Sequence, residues 1–160
     1  MKLKPLFMIF IIAALITACA NSPYADRLIS QKPELKDADG PYKFERQTIR
    51  ESELPDVDTK DSFIFLKADG TYQVSKVPYW GSSSDPDTTP VSATGKWAID
   101  SVGTVINFWG HEKMYWGIVL KPIPRGFPDD IGFMGRAPSY QLLLNYDDRD
   151  LDEVMIFTKK

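Results

Sequence analysis

The sequence predicts an all-β domain: an antiparallel up-and-down meander of about eight strands, closed or strongly curved into a small barrel, with a two-sheet sandwich as the alternative. Three observations carry this. Asp69-Gly70 lies between two β-rich runs in SFIFLKADGTYQVSKV (62–77), a hairpin signal whose type I′ form needs positive φ at both central residues. Short runs rich in β-branched and aromatic residues recur down the chain, separated by turn residues. No long amphipathic helical pattern appears in residues 42–160.

The chain opens on a different text. Lys2 and Lys4 precede an apolar run, LFMIFIIAALITA (6–18), and the small residue Ala18 precedes Cys19, the one cysteine. A basic start, a short apolar stretch and a small residue are the layout of a secretory signal peptide. As a helix the run would span roughly 20 Å, short of the ~30 Å hydrocarbon core, so a permanent transmembrane helix is the weaker reading.

Ile16-Thr17-Ala18-Cys19 resembles the lipobox of bacterial lipoproteins, with Ile16 where Leu is most common. The resemblance implies that residues 1–18 are cleaved and that Cys19 takes a diacylglyceryl group on its thiol and an acyl chain on its new amine. One acyl chain anchors marginally and two or three anchor firmly. By the same resemblance, Ala20 after the lipidated Cys favours the outer membrane of the cell envelope over the inner. A lipidated Cys19 leaves no thiol for a disulfide, so the fold rests on its hydrophobic core. Cleavage would remove Lys2 and Lys4 and none of the 22 acidic residues, moving the formal charge below −3. That balance disfavours nucleic-acid binding.

Residues 20–41 are polar, with Pro at 23, 33 and 41, and read as a tether. The domain is expected over 42–160. Its strands are YKFERQTI (42–49), the 62–77 hairpin, TGKWAI (94–99), TVINFW (104–109), MYWGIVLK (114–121), SYQLLLNY (139–146) and EVMIFTK (153–159). In the hairpin, Phe63 and Phe65 share one face and Tyr72, Val74 and Lys76 share another. Runs such as IVL and QLLL are apolar on both faces.

Two insertions interrupt this rhythm. GSSSDPDTTPVS (81–92) is polar and rich in breakers. PIPRGFPDDIGFMGRAP (122–138) holds four Pro and three Gly but also Phe127, Phe133 and Met134. Long segments without secondary structure are usually functional or disordered. The apolar groups of the second predict that it packs on the barrel mouth, a ligand or a partner. Phe127, Asp129, Asp130, Phe133, Arg125 and Arg136 are therefore the candidate binding residues. The two aspartates offer rim charge to a basic partner, and the two arginines could clamp a carboxylate or phosphate.

Patterns for catalysis are missing. His111, the one histidine, falls in a turn beside Glu112; there is no H-E-x-x-H, G-x-S-x-G or P-loop. Asp148, Asp150 and Asp152 alternate like the start of an EF-hand loop, but Glu153 stands where that loop needs Gly and Lys159 where it needs Glu. No cofactor and no metal are expected. The aromatics, among them Trp80, Trp97, Trp109 and Trp116 with Tyr72, Tyr79, Tyr115 and Tyr140, read first as core and second as the lining of an apolar ligand cavity.

Gly95-Lys96-Trp97 has the G-x-W spacing of lipocalins, and the layout of an ADGTY hairpin, a GKWAID strand and a last hairpin ending in MIFTK is similar to small lipocalin-like proteins of bacteria. In lipocalins the motif lies in the first strand; here it falls mid-domain. The expected function is a non-catalytic, membrane-anchored envelope lipoprotein binding a small apolar ligand or an envelope protein. An inhibitor or immunity-type lipoprotein acting against a toxin or wall-degrading enzyme is the alternative, and a hydrolase the third.

Overall fold

The computed structural model describes residues 23–49, 59–78, 89–106, 109–146 and 153–160. Cys19 and its flanks, Tyr79, Trp80, residues 81–88 of the first insertion and the turn of Asp148, Asp150 and Asp152 lie outside them.

Eight antiparallel strands form one meandering sheet that closes in a ring, each strand paired with the next and the last with the first. The barrel, and not the sandwich, is the architecture. The strands are β1 (Gly40–Gln47), β2 (Phe63–Leu66), β3 (Thr71–Val77), β4 (Val91–Ile106), β5 (Glu112–Lys121), β6 (Ile131–Met134), β7 (Gln141–Asn145) and β8 (Val154–Lys159). Closure leaves no edge strand exposed.

Alternation sets which residues enter the barrel. Ile64 and Leu66 of β2 face Val74 and Tyr72 of β3 across the inner side, while Phe63 and Phe65 turn outward and stay half-buried. Lys76 departs from the expected face. Its φ of 49° marks a bulge where the β3–β4 register shifts, and Val77 takes the inward place. Lys76 instead reaches Asp61 at 2.9 Å on the surface. The Asp69-Gly70 turn also differs from the type I′ expectation, since only Gly70 has positive φ, at 79°. Gly70 N–H donates to Lys67 O and Lys67 N–H to Thr71 O, the pattern of a type I turn followed by a glycine bulge. The Asp69 carboxylate accepts from the Thr71 hydroxyl at 2.6 Å and the Thr71 N–H at 2.9 Å, which holds its pKa below the usual carboxylate range.

Two expected strands are one. TGKWAI and TVINFW form the single β4, and Asp100 to Gly103 is a bulge between Ser101 and Gly103, not a turn. The second insertion hides a strand, β6, in which all four residues are buried. These two differences cancel in the strand count.

The expected tether is part of the domain from Pro23 onward. Tyr24, Ala25 and Leu28 are buried with Val105, Tyr115, Met134, Leu143, Val154 and Ile156 in a second apolar layer outside the barrel. This strap explains why β6 to β8 are apolar on both faces. Phe133, Leu142, Leu144, Met155 and Phe157 point inward, and their neighbours Met134, Leu143, Val154 and Ile156 point outward beneath the strap. β5 and β6 pair only at Gly117/Gly132 and Ile118/Ile131. Where they diverge, Ile29 joins them: its N–H donates to Phe133 O and its O accepts from Trp116 N–H, each at 3.0 Å. A one-turn helix follows, α1 (Leu35–Ala38). Ala38 O accepts from the Tyr42 hydroxyl at 2.7 Å and Asp37 O from Lys159 Nζ at 2.7 Å. Among the described residues no helix is long and apolar enough to cross a membrane.

Candidate functional site

The barrel interior is the one place where the fold gathers a continuous apolar surface that strands hold from all sides. Its inner wall includes Tyr42, Ile64, Leu66, Tyr72, Val74, Trp97, Ile118, Leu120, Phe133 and Phe157, all buried. Barrels of eight strands are either filled by side chains or hold one small ligand. Here the inward-facing Phe44, Val91, Ala93, Ile99 and Tyr146 pack against this wall but remain only partly buried. The inner face is therefore not sealed along its whole length.

Polar groups punctuate the wall, and most are satisfied. The Trp97 indole N–H donates to Lys67 O at 2.9 Å, and the Tyr72 hydroxyl to Pro122 O at 2.5 Å. Burial raises the pKa of both the Tyr42 and Tyr72 hydroxyls. At the end of β1 and β7 the accounting changes. Gln47 pairs with Met155, which pairs with Leu144, so Gln47 shares their inward face and Tyr146 follows two residues after Leu144. Gln47 Oε1 and Tyr146 Oη are both buried and have no hydrogen-bond partner among the described residues; Asn145 Oδ1 is in the same condition on the outward side, opposite Val154. Burial drives the Tyr146 pKa strongly upward, so its hydroxyl is a neutral donor and acceptor.

The residues singled out from the sequence are dispersed. Phe133 is 0% exposed on the inner wall, its ring 5.4 Å from that of Tyr140. Phe127 is 8% exposed and packs on the same core, so the segment before β6 does close onto the barrel. Asp130 turns to the outside, where its carboxylate accepts from the Tyr115 hydroxyl. Burial raises the Asp130 pKa against the opposing pull of that bond. Asp129 is exposed, and so are Arg125 and Arg136, which flank β6 in sequence on opposite sides. His111 is exposed in the β4–β5 turn.

No protein-family model, curated protein or solved structure matches the chain. The chemistry of the site has to be read from its own residues. Among the described residues, no group of three or more His, Cys, Asp or Glu is placed to hold a metal ion. Gln47 carries no titratable group, and Tyr146 stays protonated. What the pair and the apolar wall can do is bind: the wall takes an apolar body and the two orphaned groups take hydrogen bonds. Tyr146 was legible in the sequence as the last inward position of SYQLLLNY, but Gln47 was not legible in YKFERQTI, because the bulge between Phe44 and Arg46 turns it to the inner face that strict alternation would deny it; neither residue type signals function by itself.

Proposed function

We propose that this chain is a non-catalytic lipoprotein of the bacterial cell envelope that carries a small apolar molecule inside its barrel. The observation that carries the reading is the closed barrel with an apolar inner wall on which Phe44, Val91, Ala93 and Ile99 remain partly accessible. The lipobox-like Ile16-Thr17-Ala18-Cys19 supports attachment through lipid on Cys19, and Ala20 supports the outer membrane. Mass spectrometry of apolar molecules retained by the purified full chain tests the cargo; a chain that purifies with none, and takes up none when offered, sinks it. Fractionation of Cys19→Ser tests the anchor, which is wrong if that variant is still processed and still sediments with membranes.

A basic protein partner is the second reading. The segments 50–58 and 147–152 each carry four acidic residues against one arginine, a charge balance suited to a cationic surface. Asp129 adds to it, whereas Asp130 is engaged by Tyr115. A stoichiometric basic protein retained on the chain at low salt and released at high salt supports this reading; lipid alone supports the first.

A further inference from the structure

We infer that the cargo is a neutral amphiphile, an apolar chain ending in hydroxyl groups, with its head held by Gln47 and Tyr146. The inference rests on the cargo reading above and names the chemistry at one end of that site. A buried acceptor and a buried hydroxyl without partners each forfeit the hydrogen bond they would make in water. Natural interiors rarely leave such groups orphaned, and here two occur on the same inner face, on either side of Met155. Gln47 Oε1 accepts only. Tyr146 Oη donates and accepts. A head that donates to Gln47 and both donates to and accepts from Tyr146 matches the pair, and hydroxyl groups do this.

An ionised head fits less well. The Tyr146 hydroxyl is closed off from water although the ring is only partly buried, and burying a charge without a paired counter-charge costs far more than burying a hydroxyl.

The test is titration of the full chain, reconstituted in lipid nanodiscs, with dodecane-1,2-diol, dodecane and dodecanoate, using empty nanodiscs as the blank. The diol is expected to bind at least about tenfold more tightly than either comparison. Tyr146→Phe and Gln47→Leu, both close to isosteric, should each erase most of that preference by weakening diol binding. Each should also raise the melting temperature of the unliganded chain, because an orphaned polar group has been removed. Equal affinity for diol and dodecane, or variants that keep the preference, overturns the head-group assignment and leaves the apolar cargo standing. No binding of any probe overturns both.

Discussion

Tyr115 lays its ring against Gly132 on the outside of the barrel and donates its hydroxyl to Asp130. A carboxylate just before β6 is thus held by neutral partners, Tyr115 and Asn145, without a counter-charge among the described residues. Burial keeps its proton on to higher pH than in the unfolded chain. From about pH 3.9, the ordinary aspartate value, up to the raised folded value, the native state binds more protons than the unfolded one. Stability therefore falls as pH rises through that window. Asp130→Asn should flatten this slope in urea melts taken at successive pH values. Tyr115→Phe should steepen it and extend it upward, and should cost about 1–2 kcal/mol at neutral pH.

The strap is expected to be a stability element of the whole domain. Leu28 is 2% exposed over Gly132 and Met134. Leu28→Ala should cost about 2–4 kcal/mol by chemical denaturation. Hydrogen exchange gives the local readout: the Trp116 amide, bonded to Ile29 O, should lose protection before the amides of β2 and β3 do.

Gly117 and Gly110 should respond differently to alanine. A Cβ at Gly117 would run into Ile131 O and lie 2.7 Å from Val102 Cγ2, in the short β5–β6 seam. Gly117→Ala should therefore cost about 3 kcal/mol or more. At Gly110 nothing stands within 4 Å, but φ is 78°. Gly110→Ala should cost about 1 kcal/mol, from backbone strain alone. Thermal melts of the two variants side by side check the contrast.

The tryptophans divide the same way. Trp109 is 76% exposed in the β4–β5 connection. Trp109→Ala should change stability by no more than about 0.5 kcal/mol and remove the emission most readily quenched by acrylamide. Trp97→Phe loses the bond to Lys67 O that ties the β2–β3 turn to β4, and should cost about 1–2 kcal/mol.

Alternation made the barrel legible: runs such as FIFL and TYQV can bury one face only by pairing, and turn residues fix where each pair ends. Three features did not follow the pattern. Gly103 reads as a turn residue but serves a bulge, because its Cβ would collide with the Tyr115 ring. β6 is short and hemmed by Pro128 and Pro138, so its four buried residues look like loop. The strap reads as linker because its apolar residues, Tyr24, Ala25 and Leu28, are spaced for a one-sided docking and not for a helix or strand of their own. The candidate site was the hardest part to see. Phe127 and Phe133 stand out by size and belong to the core; Gln47 and Tyr146 are ordinary residues whose meaning lies in the partners they lack.

Ile29 gives the domain a mechanical property. Tension on the N-terminus, from whatever holds it, does not reach β1 first. It arrives at the strap and loads the bond from Gly135 N–H to Arg27 O, then the two hydrogen bonds that Ile29 makes to Phe133 and Trp116. Those bonds lie at the narrowest seam of the barrel, where β5 and β6 share only two paired positions. A pull would peel the strap before it sheared a full strand pair. The strap therefore takes up a pull on the N-terminal side before any full strand pair of the barrel does.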